Sequence, residues 1–328
     1  MPSGRFAPSP TGDLHLGNLL GAVRNWVEMQ HRSEGVFCIV DLHALTVATA
    51  PGEVGSRTLE LAQVLMACGL DPEATTLFVQ SHVHEHAELA WILQCNTSFG
   101  ELNRMTQFKD KSARQRDFIS AGLFTYPALQ AADILLYDTE EVPVGEDQRQ
   151  HIELTRDVAE RFNARFGETF ILPEAVIPPT AARVMDLQNP TDKMSKSAES
   201  DAGTILLGDD LAVTAKKLRR AVTDSDNEVR WDPAAKPGVS NLLGILGACT
   251  GDDPEALAER YDQYGPLKND TAEAVVSLLE PIQQRLAELR ADPGETSRAL
   301  AAGADKARTV AVPVLRRATE HIGLLSGG

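Results

Sequence analysis

Paired cysteines, a long apolar run and an excess of positive charge are all missing from this chain of 328 residues. Cys38, Cys68, Cys95 and Cys249 stand far apart with no Cys-x-x-Cys spacing, so neither a disulfide framework nor a zinc knuckle is indicated. No stretch approaches the roughly 18 apolar residues of a membrane span, and the opening MPSGRFAPSP lacks the apolar core of a secretory leader. These absences predict a cytoplasmic protein without membrane attachment. Lys and Arg number 31 against 47 Asp and Glu, a net charge of −16, so no overall field attracts nucleic acid. An RNA partner would have to meet a local patch such as Lys216, Lys217, Arg219 and Arg220, a cluster that is more often one solvated helix face. Low-complexity tracts and short-period repeats are also absent.

What remains is the composition of a globular protein, 43% hydrophobic and 24% charged, with length enough for two domains and a large core. Up to about residue 165, strand-like apolar runs alternate with helical patterns. Val36–Asp41 and Thr76–Gln80 read as strands. Arg57–Cys68 reads as an amphipathic helix closed by Gly69, and Ser81 as the cap of a helix running through Glu88–Gln94. Met1–Ala7 has little β-propensity and is the weakest strand. Such alternation predicts an α/β fold, a parallel sheet covered by helices on both faces, with ligands beyond the carboxyl ends of the strands.

After Pro190 the pattern becomes helical. Val213–Val222, Gly238–Cys249, Pro254–Tyr264 and Thr271–Leu289 read as helices, and Glu295–Gly323 as one or two more. Asp224, Asp226, Asp252 and Asp253 suit helix N-termini.

Two distant segments carry the chemistry. In Pro8–Asn18 (PSPTGDLHLGN), Gly12 permits a tight turn and Gly17 lets a helix start approach a ligand without a Cβ in the way. Amides at such a start favour phosphate oxygens, and His15 and Asn18, three apart, can both donate to a phosphate. A plain turn with a capped helix explains the glycines equally well. In Asp192–Ser197 (DKMSKS), Lys193 and Lys196 would neutralise the β- and γ-phosphates of a nucleotide, with Ser195 and Ser197 as added donors in a loop that can close. The bland reading is a solvated linker. Taken together, the two segments point to activation of a substrate by ATP.

At these residues the chain resembles the class I aminoacyl-tRNA synthetases. Phe37–Val47, Gly100–Ser112, Leu123–Tyr137, Val142–Asn163 and Ala221–Ser225 narrow the resemblance to the bacterial tryptophanyl-tRNA synthetases over essentially the whole length. It implies a Rossmann-like catalytic domain at 1–190 with the lysine loop at 192–197, a helical anticodon-binding domain at 198–290, and C-terminal helices at 291–328 packing back toward the first. It implies tryptophan activation by ATP with Mg2+, no tightly held protein-ligated metal, transfer to tRNA(Trp), and a homodimer. Ser9, Pro10, Thr11, Gly17 and Asn18 would contact ATP. So would Gly145, Glu146, Asp147, Val184 through its backbone, and Lys193, Met194, Ser195, Lys196 and Ser197. His15, Lys111, Lys193 and Lys196 would act on the triphosphate. For tryptophan, Asp133 would accept the indole N–H, Tyr126 and Gln148 would hold the α-amino group, and His43, Gln130, Val142 and Val144 would line the pocket.

Two positions depart from the family pattern. Ser9 stands where glutamine is usual, within Arg5–Gly12 (RFAPSPTG), a string that resembles the glutamyl-tRNA synthetase signature. Gln130 replaces a methionine and needs its own partner if buried. These changes suggest a specialised copy that discriminates against tryptophan analogues. A ligase for tyrosine or glutamate and a non-charging regulatory protein remain as alternatives, glutamate fitting poorly beside the Asp133 carboxylate. His82, His84 and His86 in SHVHEHAE alternate as a metal site might, but converge poorly on a helix; a polar strand-to-helix loop is the favoured reading. Trp26 and Trp91 read as core aromatics.

Overall fold

The structure is a computed structural model that describes residues 3–6 (backbone), 13–31, 35–47, 50–109, 119–145, 148–176, 183–195 and 200–325. Its sheet has five parallel strands, β1 (Ser3–Phe6), β2 (Gly35–Ile39), β3 (Thr76–Val79), β4 (Glu141–Pro143) and β5 (Glu174–Val176), in the order β3-β2-β1-β4-β5. Phe6 lies beside Cys38, Cys38 beside Phe78, and Val142 beside Ala175. The segment with the least β-propensity is thus the central strand. Pairing with β2 and β4 on its two sides outweighs the local preference of Ser-Gly-Arg-Phe. Strand order reverses between β1 and β4, the place where open α/β sheets hold ligands.

Around the sheet run α1 (Leu16–Asn18), continued by a π-helical turn at Leu19–Val23 and by α2 (Arg24–Met29), then α3 (Asp41–Ala44) and α4 (Glu53–Ala67). The central helices are α5 (Glu85–Gln94), α6 (Phe99–Arg104), α7 (Ala121–Leu135) and α8 (Arg149–Phe166). The remainder comprises α9 (Leu211–Arg219), α10 (Pro237–Thr250), α11 (Pro254–Ala258), α12 (Tyr264–Ala291) and α13 (Pro293–Ile322).

Alternation along the strands sorts the core. Phe37, Ile39, Leu77 and Val79 face one side, joined by Leu16, Leu19 and Leu65 and continuing into Leu218, Leu242, Leu267 and Leu279. Cys38, Val40 and Phe78 face the other, against Ala131, Leu135, Phe162, Ala307 and Val314. The helical half therefore shares the core of one sheet face. The amide of Gln63 donates to the Leu289 carbonyl at 3.0 Å, fastening α4 to α12. Helix α13 packs against the backbone of β3, the strand at one end of the sheet. A Cβ placed on Gly303 would fall 1.8 Å from the Leu77 carbonyl oxygen, so only glycine allows this approach.

Several local expectations are corrected. Asp41 ends no strand; it opens α3, and its carboxylate receives the Ser81 amide at 3.0 Å and hydroxyl at 2.5 Å. Ser81 therefore caps nothing, and α5 begins at Glu85 after His84. Asp253 does cap α11, but Asp224 and Asp226 receive the buried Lys236 ammonium at 3.0 and 3.3 Å, and Asp252 pairs with Arg260. The 254–264 helix stops at Ala258, and Tyr264 opens the next. Helix α9 begins earlier, at Leu211 under an Asp210 cap, and 293–322 is a single helix. The basic cluster on α9 is divided: Lys217 turns inward to Asp209 and the Thr204 carbonyl, while Lys216 and Arg220 are exposed. Trp26 packs at the core margin beside Phe37, whereas Trp91 is 67% exposed.

Gly303→Ala is expected to lower stability by about 1–3 kcal/mol, because the helix must back away from β3. Gly55→Ala, exposed on α4 with nothing within 4 Å, should raise it by roughly 0.5–1 kcal/mol. Urea unfolding of the two variants checks both signs.

Candidate active site

The described parts of the two motif segments, 13–18 and 192–195, are tied together through backbone pairing. In the first, His15 precedes α1 in extended conformation; its Nδ1 accepts the Asn18 amide at 3.3 Å while Asn18 Oδ1 accepts the His15 amide at 3.0 Å. This reciprocal cap places the ring proton on Nε2. The side-chain donors of this pair are then His15 Nε2–H and the Asn18 amide. A Cβ on Gly17 would lie 3.0 Å from the His15 ring and 3.5 Å from Val184 Cβ. Glycine is what leaves room for the His15 ring folded over this turn, while residue 184 is in ordinary contact distance. The π-helical turn that follows at Leu19–Val23 is a rare geometry, frequent at functional sites.

The second segment is held as a short antiparallel pair. Met194 N–H donates to Val184 O at 3.1 Å and Asp186 N–H to Asp192 O at 2.8 Å, with Met185 opposite Lys193. Alternation points Met194 into the core and leaves Lys193 exposed. A third stretch ties the segments together: Leu16 N–H donates to Ile205 O and Leu207 N–H to Leu14 O, both at 2.9 Å, and the Thr204 hydroxyl donates to Ser195 O at 2.9 Å. Ser9, Pro10, Thr11, Lys111, Glu146, Asp147, Lys196 and Ser197 lie outside the described residues.

On the opposite face of the sheet, α7 carries Asp133, 1% exposed. Its Oδ1 receives Gln80 Nε2 and His86 Nδ1, each at 2.6 Å, and its Oδ2 receives His43 Nε2 at 2.8 Å. The donors are themselves oriented. Leu42 N–H donates to Gln80 Oε1 at 3.1 Å, fixing the amide, and the Tyr137 hydroxyl donates to His86 Nε2 at 2.7 Å, leaving the ring proton on Nδ1. Burial alone would raise the Asp133 carboxyl; donation from His43 and His86, with their nearby charge, outweighs it and holds the group at about 2. With two lone pairs per oxygen and one donor on Oδ2 among the described residues, that oxygen can accept one more.

The neighbouring groups form a pocket wall. The His43 and Tyr126 rings meet edge to face at 6.1 Å. The Tyr126 hydroxyl donates to Gln107 Oε1 at 3.2 Å and receives His151 Nε2 at 2.8 Å; burial pushes it up to about 12, so it is a neutral donor at working pH. Gln130 finds its partner in Gln148, Nε2 to Oε1 at 3.5 Å, just before α8. Val142 is buried with Ile134 and Ile152, Val144 packs on them, and Gly145 accepts the Gln148 amide at 2.9 Å.

Sequence reasoning missed Gln80, His86 and Tyr137. His86 is no loop residue and no member of a histidine triplet: it lies inside α5, fully buried, its ring 5.8 Å from Phe78. A spacing of two that placed one histidine under an apolar strand end was the available signal.

A parallel α/β sheet in the order β3-β2-β1-β4-β5, with a capped helix start at His15–Asn18 and a paired lysine-bearing segment at Asp192–Met194, fits the class I synthetase architecture. The family model described as tRNA synthetases class I (W and Y) matches residues 8–280, and the chain belongs to that family. It is 55% identical over 324 residues to the tryptophan–tRNA ligase of Mycobacterium leprae strain TN, covering 96% of this chain and 94% of the relative. Its fold is similar to that of a tryptophanyl-tRNA synthetase from Mycoplasma pneumoniae, with TM-score 0.88, 38% identity and coverage of 99% and 97%. A Campylobacter jejuni tryptophanyl-tRNA synthetase complexed with ADP and tryptophan superposes with TM-score 0.86 at 34% identity, covering 99% and 100%.

The depressed Asp133 carboxyl stabilises the fold at pH values above its unfolded pKa, and this contribution disappears as pH falls through the folded value. The stability advantage of wild type over Asp133→Asn should therefore shrink by about 2 kcal/mol between about pH 4 and pH 2. Urea unfolding across that window measures it.

Proposed function

We propose that this chain activates L-tryptophan with ATP and transfers it to the 3′-terminal ribose of tRNA(Trp). The observation that carries the reading is Asp133: a buried carboxylate that its donors hold ionised, with one acceptor position left on Oδ2, beside His43, among the described residues. Such a group favours a flat apolar side chain that donates one hydrogen bond, and leaves an unpaired anion against one that does not. It repels glutamate outright. The relatives' shared name and the nucleotide and amino acid in the Campylobacter complex support the same substrates.

The amino-acid carboxylate attacks the α-phosphate in line, pyrophosphate leaves, and the ribose hydroxyl of tRNA then attacks the mixed anhydride. No protein nucleophile is needed; positioning and charge carry the rate. Tyr126 and Gln148 hold the α-amino group, while Gly17, Gly145, Val184 and the Asp147 segment hold the nucleoside. Lys111, Lys193 and Lys196 neutralise the triphosphate, and His15 and Asn18 donate hydrogen bonds to it. Mg2+ arrives with ATP; among the described residues no group of three or more His, Cys, Asp and Glu could hold a metal. Helices within 198–290 meet the anticodon. A homodimer is supported by the exposed aromatics Trp91 and Phe99, 67% and 73% exposed, the latter's ring tilted 4.9 Å from Phe124. Charging of tRNA is work for the cytoplasm, and no described helix is long and apolar enough to cross a membrane.

Amino-acid-dependent ATP–pyrophosphate exchange across a panel of amino acids should respond to tryptophan alone, and Asp133→Asn should lower kcat/KM for tryptophan by about a hundredfold. Exchange driven by tyrosine or glutamate, or by no amino acid, overturns the assignment.

A further inference from the structure

We propose that Asn241 is a positioning residue for the loop that carries Lys193, and that through it α10 couples the helical half of the chain to the nucleotide end of the site. The proposal rests on the reading that Lys193 faces the ATP phosphates. Val184 O and Asp186 N–H are taken by the 192–194 segment. In an extended chain this alternation turns the N–H and C=O of Met185 to the opposite side. There a single side chain meets both. Asn241 Oδ1 accepts Met185 N–H at 2.9 Å and Asn241 Nδ2 donates to Met185 O at 3.0 Å. A primary amide presents one donor and one acceptor side by side, so Asn241 serves as a one-residue third strand.

Asn241 is buried, so removing the amide deprives both Met185 groups of their partner. The 184–186 segment is then held from one side only, and Met185 is the residue paired with Lys193. A hold on Met185 is a hold on the root of the lysine loop. At its other end the same helix reaches the helix that continues from the first segment: the Ala248 carbonyl receives the Arg24 guanidinium, which follows the π-helical turn. Near its start, a Cβ on Gly238 would fall 2.1 Å from Val222 O, and Val222 N–H donates to Leu187 O at 2.8 Å. Helix α10 is thus held at one end by Arg24, on the helix that continues from the first segment, and near its start by Val222, which pairs with Leu187 just after the 184–186 stretch. None of these contacts reaches Asp133, which lies in the core of the other sheet face among the α5 and α7 side chains. Loss of Asn241 must therefore act on ATP and spare tryptophan.

The test uses the full-length enzyme with Asn241→Ala and Asn241→Leu, the latter keeping the volume while losing both hydrogen bonds. KM for ATP is read from pyrophosphate exchange, and tryptophan affinity from equilibrium dialysis without ATP. KM for ATP should rise about tenfold in both variants while the tryptophan Kd stays within about twofold. An unchanged KM for ATP in Asn241→Leu, or a parallel loss of tryptophan affinity, overturns the proposal. Lys193→Ala is measured alongside: if it too leaves KM for ATP unchanged, the placement of ATP fails and the proposal falls with it.

Discussion

A buried anion is the constraint on which this molecule turns. Asp133 lies in the core, where an unpaired charge costs several kcal/mol, and it is ionised because three donors converge on it from three different places. His43 comes from the helix after β2, Gln80 from the end of β3, and His86 from α5. Two of the donors are in turn set by another group, Gln80 by the Leu42 amide and His86 by Tyr137. Displacing any of these elements strands the charge. The carboxyl ends of β2 and β3 and the helices α3, α5 and α7 are thereby tied together at one carboxylate.

The nucleotide end is built by a different means. Its ordering comes from backbone pairing rather than charge: 14–16 with 205–207, 184–186 with 192–194, and the Thr204 hydroxyl on Ser195. Segments nearly two hundred positions apart in sequence become neighbours because one apolar core runs from Leu16 and Val184 through Leu207 and Leu218 into α10 and α12. The ladders leave Lys193 exposed and bury Met194. An outward lysine on an anchored root is what charge stabilisation of a leaving pyrophosphate requires.

What could be read in the amino-acid order follows the same division. The lysine loop and the glycine-spaced turn were legible because the two together match a known pair of motifs, although each alone has a plain structural reading. The groups that hold them were not, because Met185, Val184 and Leu206 contribute backbone atoms that carry no sequence signature. Asp133 was legible only through resemblance. Its donors were hidden, since Gln80 looked like the last residue of a strand and His86 like one of a polar histidine run. Helix α5 begins without a side-chain cap, so nothing marked its start, and its AELAWIL run is too evenly apolar to show that Trp91 points outward. β1 was obscured for the opposite reason: two neighbouring strands make it central whatever its own preference.

The central claim is that Asp133 selects its substrate by accepting one hydrogen bond in a dry pocket. Equilibrium binding of tryptophan and of benzothienylalanine, in which a sulfur replaces the indole N–H, tests this most directly. The account predicts that the sulfur analogue binds weaker by about a hundredfold or more, since the ring still fills the pocket but offers Asp133 nothing. Equal affinities would contradict it.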